Sequence, residues 1–391
     1  MGHRMGENPE GRNQMPELKR CMKCVMPETW AGISFDEDGV CSICRNYEKK
    51  PKIDWDKRQG DLQDILVRYI DYAKVHGNKY ECIVGYSGGK DTAYTLWAMV
   101  KKYKMKCLAV TWDHGFKLPP EAEYNMVEVP KKLDVDHLRF YIGGNLRNQM
   151  CRKGSEICGD FCIHCHLGVG AFPTRISYMM NIPLQIWGEP SAEYGTFGVY
   201  KYEDIEEQNY EHYKKVFAAG TMPQNVVPEG YSPIDLEPMT WPKEERTIYF
   251  EGKRIPFLKA IYLGNYEPWE QRKNVEIIKK ELDWKPNRTP FYNDALEDWK
   301  DVLIETYGTY VDWDKVDCPY ETVRNWQKFI RRGFDKLSFQ CSKDIRDGLM
   351  TRDEALEIIK HEGQRPINME DFCEETGISE AEFYRITNRQ I

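Results

Sequence analysis

No stretch of this 391-residue chain approaches the roughly 18 consecutive apolar residues of a membrane-spanning helix, and the N-terminus lacks the apolar core of a secretory leader. Positive charge is also in short supply: 55 lysines and arginines face 63 aspartates and glutamates, for a formal net charge of −8. A surface that neutralises a nucleic-acid backbone needs clustered cations, so DNA is not an expected partner. Internal repeats and low-complexity tracts are absent as well. These absences predict a folded cytoplasmic protein with no membrane span, in which 13 cysteines are better explained by metal ligation or burial than by disulfides. The length predicts two or three units.

Cysteine is what the chain has in pattern. After a polar tail reaching about Lys19, Cys21-Met22-Lys23-Cys24 is followed by Cys41-Ser42-Ile43-Cys44. Two Cys-x-x-Cys turns at this spacing can present four thiolates to one tetrahedral zinc. With Asp36-Glu37-Asp38-Gly39 as a turn between short strands, the segment reads as a structural zinc ribbon. Four unrelated free thiols are the plainer alternative. A second group, Cys158, Cys162 and Cys165, has His164 and His166 interleaved and Cys151 upstream. Soft ligands this dense suggest a second metal site, zinc or an iron–sulfur cluster, although buried unligated cysteines fit a spacing that matches no one template.

The run Ile83-Val84-Gly85-Tyr86 breaks into Ser87-Gly88-Gly89-Lys90-Asp91-Thr92, after which Ala93, Leu96, Trp97 and Val100 recur at helical spacing. This is a strand, a tight loop and a helix start. Glycines let backbone N–H groups approach an anion, the helix start adds its positive end, and Ser87 and Thr92 add hydroxyls, so the loop suits phosphate. It is not a Walker A loop, because three residues separate Gly85 from Gly89-Lys90 and Asp91 follows the lysine. An ordinary glycine-rich turn is the alternative.

Further strands are expected at Cys107–Trp112, His137–Ile142, Pro183–Trp187 and Phe257–Leu263, with helices at Asp61–His76 and Ala122–Leu133. The alternation predicts an α/β fold, a doubly wound parallel sheet. Ligands bind at the carboxyl edge of such sheets, which makes Asp113 and His114 candidates, with a cap or turn role open for Asp113. Residues 195–254 show no clean period and read as an insertion over the sheet edge, of the kind that forms a substrate lid. After Pro268 the chain is helical. Thr351 with Glu354 and Ser379 with Glu382 fit capping boxes starting the last two helices.

Ser87 to Thr92 resembles the Ser-Gly-Gly-x-Asp-Ser/Thr signature of the PP-loop ATP pyrophosphatases, which split ATP into AMP and pyrophosphate. Within that group the order of motifs is similar to the bacterial N-acetyl sugar amidotransferases of surface-polysaccharide biosynthesis. The likeness rests on the paired Cys-x-x-Cys, Ser87–Thr92, Thr111-Trp112-Asp113-His114-Gly115, the Cys158–Cys165 cluster, Gly264-Asn265-Tyr266 with Pro268-Trp269, and the tail Gly348–Leu356.

The resemblance implies a tail and zinc ribbon over 1–50, a PP-loop domain of adenine nucleotide alpha hydrolase-like type over 51–267, and a helical region over 268–391. It implies conversion of the acetamido group of a nucleotide-activated sugar to an acetamidino group, through an adenylated imidate, in lipopolysaccharide O-antigen or related glycan synthesis. Lys90, Asp91 and Asp113 are then the candidate catalytic residues. Ser87, Gly88, Gly89, Lys90, Asp91, Thr92, Asp113, His114 and Gly188 would bind ATP, and Asp91 would also bind Mg²⁺. Zinc would sit on Cys21, Cys24, Cys41 and Cys44. Ammonia would come from a partner glutaminase, since the chain shows neither an N-terminal catalytic cysteine nor a Gly-x-Cys-x-Gly elbow. A PP-loop tRNA thiolase and a non-catalytic zinc-bearing nucleotide-binding adaptor are the alternatives.

Overall fold

The computed structural model describes residues 18–194, 201–288 and 299–388. Its centre is a five-stranded parallel sheet in the order β3-β2-β1-β4-β7. The strands are β1 (Cys82–Gly85), β2 (Cys107–Trp112), β3 (Asp136–Phe140), β4 (Leu184–Trp187) and β7 (Lys259–Tyr262). All six residues of β2 are buried, as in a parallel strand covered on both faces.

Side-chain alternation along the strands builds two cores. Val84, Ala109 and Ile186 face the helices α2 (Trp55–His76), α3 (Lys90–Trp97), α4 (Pro120–Lys132) and α9 (Gln271–Leu282), where Leu66, Leu96, Met126 and Ile278 close the layer. Ile83, Leu108 and Val110 face α5 (Gly144–Ile157) and α6 (Ile163–Met180), against Met150, Leu167 and Ala171. The sheet is therefore doubly wound, as its alternation implies.

Several elements differ in detail from their sequence signal. Helix α2 starts at Trp55, six residues before Asp61, because the Asp54 side chain accepts a hydrogen bond from Lys57 N and caps it. Strand β3 stops at Phe140, leaving Tyr141 and Ile142 outside. The stretch without clean period contains a hairpin, β5 (Thr247–Phe250) with β6 (Lys253–Pro256), turned by Glu251 and Gly252 at φ +47° and +75°. Positive φ at both central residues is the geometry that matches strand twist in a two-residue turn. Ile248, Phe250 and Ile255 pack into the sheet's core, so the hairpin is part of the core instead of a lid over it. Gly195, where the insertion was expected to begin, and residues 289–298 of the stretch expected to be helical lie outside the described residues.

At the N-terminal end, the expected turn at Asp36–Gly39 is present, with Val40 N bonded to Asp36 Oδ1 at 2.8 Å. The flanking strands shrink to single bridges, Arg20 with Pro27 and Phe35 with Cys41, and the second cysteine pair opens helix α1 (Ser42–Tyr47). The remaining helices are short α7 (Ser191–Tyr194) and α8 (Tyr210–His212), then α10 (Trp299–Tyr307), α11 (Glu321–Arg332), α12 (Lys336–Arg346), α13 (Arg352–Ile358), α14 (Met369–Thr376) and α15 (Glu380–Thr387). The Thr351–Glu354 capping box is complete at α13. Ser379 caps α15, but Glu382 turns to Arg152 instead, and α14 intervenes between the two caps. Among the described residues no helix is long and apolar enough to cross a membrane.

Candidate active site

Strands β1 to β3 run outward on one side of β1 and β4 returns on the other, so the chain switches direction between β1 and β4. Such a switch leaves a crevice at the carboxyl ends of the two strands. The loop Tyr86–Gly89 leaves β1 here, and Gly188 leaves β4. Gly88 is at φ +78°, a left-handed conformation that glycine adopts freely. Hydroxyls hold the loop closed: Ser87 N donates to Thr92 Oγ1 at 3.1 Å, the two hydroxyl oxygens are 3.2 Å apart, and Gly89 N donates to Ser87 Oγ at 3.3 Å. The indole N–H of buried Trp284 braces the loop from outside by donating to Gly88 O at 2.8 Å.

A cavity of about 530 Å³ opens at this crevice, lined by Ser87, Gly89, Lys90, Asp91, Thr92 and Gly188. Its opposite wall comes from residues 310–344, far away in sequence. Asp317 reaches the loop closely enough that a Cβ on Gly89 would meet its Oδ2 at 2.9 Å. Lys90 pairs with Asp91 at 2.5 Å and lies 3.8 Å from Asp314. Burial opposes the Lys90 charge, but Asp91, Asp314 and Glu189 outweigh it and hold the pKa above the ordinary lysine value. Asp91 and Asp317 thus flank the loop without forming a full protein cage, an arrangement that fits a Mg²⁺ drawing most of its ligands from phosphate and water.

Asp113 and His114 are absent from this lining. Arg139 Nε donates to Asp113 Oδ2 at 2.6 Å and Gly115 N donates to its Oδ1 at 2.7 Å, so both oxygens serve a salt bridge and a turn. Asp113, expected from the sequence as a catalytic residue, is held in these two contacts and stands outside the cavity lining. Phe116 N donates to His114 Nδ1 at 3.0 Å, which leaves the proton on Nε2 to reach Asp317 O at 3.1 Å. Burial also lowers the His114 pKa and favours the neutral ring. His114 therefore positions the Asp317 segment.

The second cysteine group does not assemble as expected. Cys158 ends α5 and its thiol donates to Gly154 O at 3.1 Å, whereas Cys162 caps α6 beyond the Gly159 turn and meets Cys318. Burial pushes the Cys158 thiol up to about 11 and Cys165 up to about 12, which keeps both protonated at neutral pH. Among the described residues, the cysteine, histidine and carboxylate groups gathered closely enough to share one ion are Cys21, Cys24, Cys41 and Cys44, with ligating atoms all within 4.8 Å of one another.

That first set fits zinc. Zn–S bonds of about 2.3 Å give a tetrahedral edge of roughly 3.8 Å, and the Cys24–Cys41 and Cys21–Cys44 sulfurs are 3.8 and 4.0 Å apart. Backbone N–H groups of Cys24, Cys41 and Cys44 point at the sulfurs at 3.2–3.4 Å. The cluster is clasped by the far end of the chain: Arg352 Nε donates to Cys21 O and Cys24 O at 3.2 Å, and Arg20 pairs with Glu362 at 2.9 Å.

Sequence reasoning missed the cavity's second wall: Asp314, Lys315, Asp317, Arg324, Lys328 and Lys336. The available signal was the spacing of Arg324, Lys328 and Arg332, which puts one cation per helical turn on one face of α11.

Residues 304–391 match the family model of the LPS biosynthesis protein WbpG-like C-terminal domain. The chain is also 30% identical over 118 residues to the uncharacterized protein MJ1599 of Methanocaldococcus jannaschii, a match covering 30% of this chain and 40% of that protein. Among solved structures, the U34-tRNA thiolase NcsA from Methanococcus maripaludis, with its 4Fe-4S cluster, overlaps 90% of this chain and 91% of its own at 13% identity and a TM-score of 0.32. An overlap that loose does not bear on the reaction.

Proposed function

We propose that the protein is an ATP-dependent amidotransferase that converts an acetamido group on a nucleotide-activated sugar to an acetamidino group. The observation that carries this reading is the Ser87–Thr92 loop, held closed by its own hydroxyls at the β1–β4 crevice and opening on a cavity of about 530 Å³. The match of residues 304–391 to a domain of LPS biosynthesis supports a glycan substrate, because that segment supplies the facing wall.

The amide oxygen is a poor leaving group, so activation comes first. It attacks the α-phosphorus of ATP, and the α–β bond breaks to release pyrophosphate. The Lys90 ammonium, which lines the cavity, would meet the departing charge, where a fixed donor is most effective. Bound Mg²⁺, with Asp91 and Asp317 as its protein ligands, would offset phosphate charge. Ammonia then adds to the imidate carbon, and AMP departs with the former amide oxygen. A partner glutaminase supplies the ammonia in this scheme, and free ammonium substitutes for it in vitro.

The test is incubation with ATP, ammonium and a panel of UDP- and CMP-linked acetamido sugars, followed by mass spectrometry. One sugar should show replacement of O by NH together with equimolar AMP. AMP release without any change in sugar mass, or sulfur transfer to tRNA, would refute the reading.

A further inference from the structure

The cavity's far wall carries more cation than its own pairing uses. Arg324 is committed to Asp160 at 2.8 Å, and Lys336 to Asp314 at 2.5 Å. Lys315, Lys328 and Arg332 also line the cavity, yet among the described residues none of these three side chains makes a hydrogen bond or ion pair. Lys315 is at φ +50°, a conformation that costs energy for a residue with a Cβ, and although burial opposes its charge, the nearby Glu321 and Asp317 carboxylates hold its pKa above the ordinary lysine value. Burial, and then the nearby Arg324, pull the Lys328 pKa down to about 8, outweighing the Glu321 and Asp160 carboxylates.

The geometry of α11 orders these charges. Arg324, Lys328 and Arg332 are four residues apart, so a cation recurs every ~6 Å along one face for ~12 Å. At the Arg332 end the stripe meets aromatic surface that also lines the cavity. Trp30 stacks on Phe339 with ring centroids 5.7 Å apart and lies 5.5 Å from Phe334. Thr29 Oγ1 donates to Arg332 O at 2.8 Å and ties this N-terminal segment to the helix. Asp91 and Asp317 flank the loop side of the cavity and Glu321 opens α11, whereas Lys328 and Arg332, further along the helix, make no side-chain hydrogen bond or ion pair among the described residues and lead to an apolar face.

We propose that the Lys315–Lys328–Arg332 wall is a second anion site, which holds the diphosphate of a nucleoside diphosphate sugar while its base lies against the Trp30 cluster. This rests on the amidotransferase reading and deepens it: the handle of the sugar is a diphosphate, as in UDP, and not the single phosphate of CMP. The shared chemistry is diphosphate, which ATP also carries, so the test must separate the two sources.

The experiment is calorimetric titration of the full chain with α,β-methylene-ATP, then with UDP, UDP-N-acetylglucosamine and CMP while the ATP analogue is saturating. The wild type should bind UDP or its sugar with the loop occupied, at least tenfold more tightly than CMP. Lys328→Met and Arg332→Met should each weaken UDP binding tenfold or more and leave the ATP analogue within twofold, and Lys328→Arg should restore most of the loss. Unchanged melting temperatures, with Arg332→Met as the more peripheral variant, separate lost binding from lost fold. The proposal is overturned if UDP does not bind beside the analogue, if CMP binds equally, if both variants bind UDP normally, or if analogue affinity falls in parallel with UDP. Failure of the wild type to bind the ATP analogue at all would instead sink the ATP-dependent reading, with UDP titration of the empty protein still reporting on the α11 wall.

Discussion

Ser87 and Thr92 share one small network, and its logic is local: each hydroxyl holds a backbone group so that the loop is shaped before ligand arrives. Ser87→Ala removes the hydroxyl that both Thr92 and Gly89 N use, and Asp91→Ala removes the partner of Lys90. Each should lower AMP formation on the order of 100-fold or more with little change in melting temperature, as measured by AMP release and thermal unfolding. Normal turnover in both would remove the loop from the chemistry. A different residue offers a pH test. Burial raises the Glu206 carboxyl from 4.5 to about 7, although Ser191 donates to it through both N and Oγ. A carboxyl whose folded pKa is raised stabilises the fold fully below its unfolded pKa, and that contribution is lost as pH rises through the folded value. The loss between pH of about 4.5 and 7 is on the order of 3 kcal/mol at most. Glu206→Gln should therefore flatten the decline of melting temperature over that window. An equally steep decline in the variant would assign it to other groups. At this scale the loop was legible because its chemistry is contiguous, Ser87 through Thr92. The engagement of Asp113 was not legible, because a strand-end position is a statement about place and its partner Arg139 lies 26 residues on.

The elements were more legible than the contacts between them. Strand β2 is apolar except for Thr111, whose hydroxyl donates to Tyr86 O, and it forms over the span its residues suggest, Cys107–Trp112. The hairpin β5–β6 was not legible, because Lys253, Arg254 and Glu251 break any apolar alternation and its turn is Glu-Gly, outside the strongest turn pairs. The paired Cys-x-x-Cys was legible from spacing alone, but its setting was not: Cys41 caps a helix, and Arg352 and Arg20 fasten the unit to the last third of the chain. That fastening makes the metal unit a structural brace for the cavity, since Trp30 belongs to the same segment. Cys24→Ser or Cys41→Ser should lower zinc content and reduce stability by several kcal/mol, because binding energy in a closed site is folding energy. Metal analysis and chelator-dependent melting check this; a well-folded wild-type protein with no bound metal would contradict it.

At the scale of the molecule, the cavity is shared by the Gly-rich loop of the sheet, the helical stretch after Pro268 and the N-terminal segment, which meet across more than 200 residues of sequence. A periodicity reading assigns the C-terminal helices to core packing because their apolar faces are evident. It does not show that Asp314–Asp317 folds back onto Gly89, since that is a tertiary fact carried by His114 and the close Asp317–Gly89 approach. In the proposed reaction the amide oxygen of the sugar is the group adenylated over this loop. The most direct test uses substrate labelled with oxygen-18 in its acetamido group, with ATP and ammonium, and follows the label by mass spectrometry. The label should leave the sugar and appear in AMP, one labelled oxygen for each acetamidino group formed. Label retained in the sugar, or released to inorganic phosphate while AMP stays unlabelled, would contradict it.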